Sequence, residues 1–126
     1  MKRLQTVLVL LPLFVTSISR ADAVSDRARK TADGVIDLSL RLVGVMDGAD
    51  CKVVLENVTK FAKTTATERT ALASELDAAK KDRAYGDALK LELQKNQATL
   101  KGMKRPLCAK DPAVRSAARN AMPAGA

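Results

Sequence analysis

Histidine and tryptophan are absent from this 126-residue chain, aromatic residues make up 2% of it, and cysteine occurs only twice. The absence of histidine excludes Ser-His and Cys-His catalysis and nearly every zinc, haem or copper site that is built on a histidine ligand. Two cysteines are too few for a four-thiolate metal site, and Cys51 and Cys108 lie too far apart for a CxxC redox motif. The sequence therefore predicts a protein that is not an enzyme and that uses no metal or other cofactor.

The first 23 residues have the features of a secretory signal peptide. Met1-Lys2-Arg3 is positively charged, Leu4 to Val15 is uncharged and mostly apolar, and Ala21-Asp22-Ala23 places small residues at the spacing that a signal peptidase recognises. The uncharged run from Leu4 to Ser19 has 16 residues, fewer than the roughly 20 that span a bilayer. We therefore predict removal of residues 1–23 and an exported protein, periplasmic or secreted, with no transmembrane span after processing. An uncleaved membrane anchor is the alternative.

Export changes the interpretation of the cysteine pair. In an oxidising compartment an even number of cysteines is typical of disulfides, so we predict a bond between Cys51 and Cys108. Closing a loop of this length stabilises a fold by about 4 kcal/mol in the chain-entropy model. An intermolecular bond in a homodimer is the alternative, and the sequence leaves both the monomer and the homodimer open.

The hydrophobic pattern after residue 24 is helical. From Ser25 to Met46, apolar residues occupy one broad arc of a helix, and the charged residues of the opposite face, Arg29, Asp33, Asp37 and Arg41, are spaced to pair as Arg29 with Asp33 and Asp37 with Arg41. The strict alternation over residues 36–42 also fits a strand, but no second strand pattern exists to pair with it. A helix over residues 25–46 is therefore favoured.

The rest of the chain predicts a helical hairpin followed by a short helix. Asp50 is a suitable N-cap for a helix over residues 51–79, within which no glycine or proline occurs. A turn at 80–86 would place Asp87 at the start of the second arm, so that Cys51 and Cys108 meet at the open end of the hairpin. Asp111 and Pro112 predict a last helix that runs to about Met122.

We therefore predict an all-α fold, a small helical bundle built on a helical hairpin, with helix 25–46 in the groove of the hairpin and a short C-terminal helix. Residues 24–122 form the single α-helical domain of this prediction, and residues 123–126 form a flexible tail.

The positive charge is concentrated at the carboxyl end. Residues 24–100 carry 13 positive and 12 negative groups, whereas the last 26 residues carry six cations against Asp111 alone. These cations are Lys101, Lys104, Arg105, Lys110, Arg115 and Arg119. They predict contacts with an anionic partner, although a solvated, solubilising end explains the same charges. Nucleic acid is not an expected partner, because this segment has no aromatic residue on which bases would stack.

These features predict an exported, non-catalytic protein that binds another macromolecule, either an unidentified protein or an anionic component of the cell envelope. One alternative is a periplasmic chaperone-like protein that exposes apolar residues such as Leu40 and Leu91 to unfolded clients. Asp33 and Asp37 are the nearest approach to a pair of catalytic carboxylates. Cations that neutralise them would lower their pKa values, whereas a general acid needs a raised pKa.

Overall fold

The computed structural model describes the backbone of residues 2–125 and the side chains of residues 21–125. Most of the predicted signal peptide, residues 1–23, therefore lies outside the residues with described side chains, and its removal stays a prediction. The described chain is all-α, as predicted, and contains no strand. It consists of α1 (Lys2–Val45), α2 (Cys51–Thr64), α3 (Ala66–Lys81), α4 (Arg83–Lys95), α5 (Gln97–Lys101), a 3₁₀ helix (Leu107–Lys110) and α6 (Pro112–Asn120). The alternating residues 36–42 belong to α1, so the strand alternative is wrong.

Two of the predicted helix starts are confirmed by the geometry of their caps. The carboxylate of Asp50 accepts hydrogen bonds from the backbone N–H groups of Lys52, at 3.0 Å, and Val53, at 3.4 Å. The carboxylate of Asp111 accepts from Ala113 and Val114, at 3.0 and 3.1 Å, and Pro112 occupies the first turn of α6. Each aspartate thereby satisfies backbone donors that have no partner within the helix.

The predicted helix 51–79 is present, but it is interrupted at Thr65, between α2 and α3, where φ is −101° and ψ is 10°. Hydrogen bonds continue across this residue, because the Thr65 N–H donates to Phe61 O at 3.0 Å and the Arg69 N–H donates to Thr65 O at 2.8 Å. The buried Thr65 hydroxyl also donates to Phe61 O, at 2.7 Å. Such a bond from a hydroxyl to the preceding turn slightly destabilises a helix.

The predicted turn at 80–86 is confirmed in its place, but it is shorter than predicted and its capping residue is wrong. Only Asp82 separates α3 from α4, and its carboxylate accepts from the Tyr85 N–H at 3.2 Å, so Asp82 and not Asp87 caps the second arm. Gly86 lies inside α4, where a Cβ atom would stand 2.5 Å from the carbonyl oxygen of Ala79. This glycine therefore permits the close approach of the two arms and does not form the turn.

The three long helical segments form the predicted bundle. Helix α1 lies mainly against α4 and also contacts α2 and α3, α3 packs against α4, and α2 packs against α6. One cluster of buried apolar residues joins α1, α2, α3, the 3₁₀ helix and α6, and a second cluster joins the amino-terminal part of the described α1 to α3 and α4. Residues of the predicted apolar arc that are buried include Ala28, Ala32, Val35, Ile36, Leu38, Leu42 and Met46.

Cys51 and Cys108 lie at bonding distance within one chain, with their Cα atoms 5.5 Å apart, as the predicted staple requires. The bond joins the start of α2 to the 3₁₀ helix. It therefore closes the open end of the hairpin.

The last residues follow α6 back over the bundle. Pro123 is buried, and Gly125 lies near the side chains of Lys80 and Leu76 in α3. The flexibility predicted for residues 123–126 stays a prediction, because a packed position does not measure motion, and Ala126 lies outside the described residues.

Candidate functional site

The six predicted cationic residues, which we call the basic segment (residues 101–119), follow one another over four structural elements. Lys101 ends α5, Lys104 and Arg105 lie in the connection that follows, Lys110 ends the 3₁₀ helix, and Arg115 and Arg119 lie on α6. All six residues are exposed. Within the described part of the chain, none of them forms an ion pair.

The cations that precede the basic segment are partly paired. Of the 13 in residues 24–100, five have carboxylate partners and eight form no ion pair among the described residues; the pairs are Arg27–Glu75, Arg29–Asp26, Arg41–Asp37, Lys81–Asp77 and Lys95–Glu92. Arg41 also reaches Glu68, at 2.7 Å. The predicted pair of Arg29 with Asp33 is wrong, since Arg29 lies 4.0 Å from Asp26. The basic segment differs from residues 24–100 in its balance of charge, because it has six cations and Asp111 alone, whereas residues 24–100 have 13 cations and 12 carboxylates.

Two buried residues, the disulfide-bonded Cys108 and Val114 of α6, anchor the backbone of the basic segment. Cys108 is 1% exposed, and its Sγ atom lies 3.6 Å from the carbonyl oxygen of Gly48 in the turn after α1. Val114, one turn into α6, is fully buried against the core that α2 shares with α6. Because Cys108 and Val114 point inward, the cations around them are held at the surface of a folded structure.

A groove lies between the carboxyl end of α1 and the connection before the 3₁₀ helix, and we call it the Leu40 groove. Its apolar walls are Leu40 and Val43 on one side and Met103, Pro106 and Leu107 on the other. Gly44 and three charged residues, Asp47, Lys104 and Arg105, complete its lining. Its volume is about 530 Å³. The groove therefore combines apolar surface with two of the six predicted cations.

A second cavity, of about 720 Å³, lies between α3 and the end of the chain. Arg119 lines it together with Arg69, whose guanidinium donates to Ala62 O at 3.0 Å. The structure thus divides the basic segment, because Lys104 and Arg105 line one cavity and Arg119 lines the other. The sequence gives no sign of either cavity, since each depends on how elements distant in the chain pack together.

A polar cluster around Tyr85 in the bundle was not predicted from the sequence. Tyr85 is 1% exposed, and its hydroxyl donates to the Glu75 carboxylate at 2.6 Å and lies 2.6 Å from the Thr31 hydroxyl. The guanidinium of Arg27 binds both oxygens of Glu75, at 2.7 and 3.2 Å, and stands 4.3 Å from the centre of the Tyr85 ring. Hydrogen bonds from Arg27 and Tyr85 lower the pKa of Glu75, and burial and the bond to Glu75 raise the pKa of Tyr85.

The hydrogen bonds of this cluster connect α1, α3 and α4, but its carboxylate is poorly suited to proton transfer. A carboxyl group with a lowered pKa stays ionised at neutral pH and is a poor general acid. The guanidinium of Arg41 donates a hydrogen bond to the carboxylate of Asp37, at 3.2 Å. In the range 21–125, no three His, Cys, Asp or Glu side chains are arranged to hold a metal ion, and no described helix is both long enough and apolar enough to cross a membrane.

Comparison of the chain with protein-family models, with curated proteins and with solved structures finds no significant match.

Proposed function

We propose that this is an exported, non-catalytic protein that binds an anionic macromolecular partner through the basic segment. The observation that carries the proposal is that the last 26 residues carry six exposed cations, none of them in a described ion pair, against Asp111 alone, whereas residues 24–100 carry 13 cations and 12 carboxylates. Complementary charge on a partner would neutralise these groups and would also raise the association rate.

The disulfide supports the location in this proposal. Disulfides persist in oxidising compartments and are rare in the cytosol, where thiols are kept reduced. Cys51 and Cys108 are paired within the chain, and no free cysteine is present in the described residues. This agrees with the export that residues 1–23 predict.

The proposal is tested by titrating the mature protein with poly-L-glutamate in a calorimeter at 50 and 200 mM NaCl. In one variant, Lys101, Lys104, Arg105 and Lys110 are all changed to Gln. In a matched control, four exposed lysines outside the segment, Lys52, Lys60, Lys63 and Lys90, are changed to Gln, so that both variants lose the same charge.

We expect the first variant to bind about tenfold more weakly than the wild type, the control to bind within about threefold of it, and wild-type binding to weaken with salt. Equal weakening of both variants would mean that only net charge matters, and it would refute a specific role of the basic segment. A parallel titration with vesicles that contain phosphatidylglycerol asks whether the anionic partner is a lipid surface.

A chaperone-like function is the second candidate, and it has an observation of its own. Leu40 and Leu91 are 41% and 59% exposed, and Leu107 is 79% exposed. Binding of unfolded clients through these residues would be insensitive to salt, since it depends on apolar contact. A dye that fluoresces on exposed apolar surface separates the candidates, because no enhancement by the folded protein would disfavour the chaperone.

A further inference from the structure

We propose that the Leu40 groove is a binding site for an anionic amphiphile, a small molecule with an aliphatic chain and a single anionic head group. The chain would lie between Leu40 and Leu107, and the head group would contact Lys104 and Arg105. This inference rests on the proposed function only for the negative charge of the ligand. It goes beyond that function by naming the class of ligand and the groove that would bind it.

The apolar walls favour a hydrocarbon chain. Leu40 is 41% exposed and Leu107 is 79% exposed, although both are large apolar side chains. Covering them with a hydrocarbon would remove apolar surface from water on both partners, which is favourable. A hydrocarbon brings no hydrogen-bonding groups that would need partners in the groove. The volume of about 530 Å³ lies in the range typical of small-molecule sites, roughly 300–1,000 Å³.

The charged residues of the groove favour an anionic head group. Lys104 and Arg105 both line it, are exposed, and form no ion pair within the described residues. Asp47 is the acidic residue that lines the groove. Since two cations outweigh one carboxylate, an anion is attracted to the side of Lys104 and Arg105 and repelled from the side of Asp47.

A substitution at Gly44 can fill the Leu40 groove without changing its charge. A Cβ atom at this position would meet no atom within 4 Å outside its own helix and adjacent residues, so a side chain there would extend into open space of the groove. Gly44→Leu is therefore expected to fold and to fill the volume that the aliphatic chain would occupy. Gly44→Ala adds only the Cβ atom and serves as the matched control.

The test is isothermal calorimetry of the mature, disulfide-bonded protein with decanoate. Two further ligands are titrated alongside it: acetate, which has the carboxylate without the long chain, and decyl maltoside below its micelle concentration, which has a ten-carbon chain on an uncharged sugar head group. We expect decanoate to bind at a ratio of one to one, and acetate to give no measurable binding. Decyl maltoside should bind at least tenfold more weakly than decanoate. Circular dichroism and thermal unfolding of each variant check that it is folded.

For the variants, we expect Gly44→Leu to weaken decanoate binding at least tenfold and Gly44→Ala to leave it within about twofold. The double substitution Lys104→Gln and Arg105→Gln should weaken decanoate binding about tenfold and leave decyl maltoside binding unchanged. An absence of decanoate binding, or binding that a folded Gly44→Leu variant leaves intact, would overturn the inference. If poly-L-glutamate or anionic vesicles still bind through the basic segment in that case, the proposed function stands without the groove.

Discussion

The hydroxyl of Tyr85 joins α1 to the hairpin, and its removal is the most direct test of how the bundle is held together. Tyr85→Phe deletes one oxygen atom from a residue that is 1% exposed and leaves the ring in place. Because the phenol has a single proton, which it donates to Glu75, the Thr31 hydroxyl must donate to the phenolic oxygen. The substitution therefore removes two hydrogen bonds, one to a carboxylate and one to a neutral hydroxyl.

The expected magnitude follows from the two bonds. A hydrogen bond to a charged group contributes roughly 1.5–3 kcal/mol to stability, and a neutral one contributes roughly 0.5–1.5 kcal/mol. Glu75 keeps its bonds to Arg27, which moderates the first loss, whereas Thr31, at 5% exposure, is left without its side-chain partner. We expect Tyr85→Phe to lower the free energy of unfolding by about 3 kcal/mol, or the melting temperature by roughly 12–24 °C for a domain of this size.

A double-mutant cycle with Thr31→Val makes the reasoning refutable. Valine has nearly the shape of threonine, so the double variant removes both members of the buried pair and leaves no donor unsatisfied. We expect the two substitutions together to cost at least 1 kcal/mol less than the sum of the single costs, measured by urea unfolding at pH 7. A loss below about 1 kcal/mol for Tyr85→Phe would show that the hydroxyl does not stabilise the bundle, and strictly additive costs would show that it is not coupled to Thr31.

Three further predictions follow from the same structure. Because the folded structure lowers the pKa of Glu75, the ionised carboxylate stabilises the fold fully above the unfolded-state pKa of about 4.3, and this stabilisation is lost as the pH falls through the folded-state pKa. The difference in unfolding free energy between the wild type and Glu75→Gln, measured by urea titration, should therefore narrow below about pH 4. A difference that stays constant with pH would contradict this. Replacing Cys51 and Cys108 together by Ala should lower the free energy of unfolding by about 4 kcal/mol, since the bond spans 57 positions, and the reduced wild type should match the variant. Gly86→Ala should destabilise the protein in thermal unfolding because its Cβ would stand 2.5 Å from a backbone oxygen, whereas Gly44→Ala, with open space around it, should stabilise by up to about 1 kcal/mol; similar shifts of one sign would argue against the close approach of α3 and α4.

The Leu40 groove could not be predicted from the sequence, although the properties of its residues could. Its lining comes from α1 and from the connection before the 3₁₀ helix, which are separated by more than fifty positions in the chain. The positive charge of Lys104 and Arg105 is visible in the sequence, and so is the hydrophobicity of Leu40 and Leu107. Their arrangement around one cavity is not visible, because it depends on the disulfide at Cys108 and on the packing of α1 over the hairpin.

Features that depend on neighbours within a few positions were predictable from the sequence. The apolar arc of α1 and the caps at Asp50 and Asp111 follow from helical periodicity and from side-chain oxygens close to the unpaired N–H groups of a helix start. The bond between Cys51 and Cys108 was predicted from the even number of cysteines in an exported chain, with an intermolecular bond as the alternative.

Features that depend on distances between helices were not predictable from the sequence. Gly86 reads as a turn residue in the sequence and proves to be a contact between helices, since the steric need for glycine arises from the Ala79 carbonyl on the other arm. The hydroxyl of Tyr85 bonds with Thr31 and Glu75, which lie 54 and 10 positions away in the chain, so these bonds were not predictable from the residues around Tyr85. Local pattern fixes the face that a helix buries, but the partner of each buried group is set by the packing of whole helices, which no short stretch of sequence encodes.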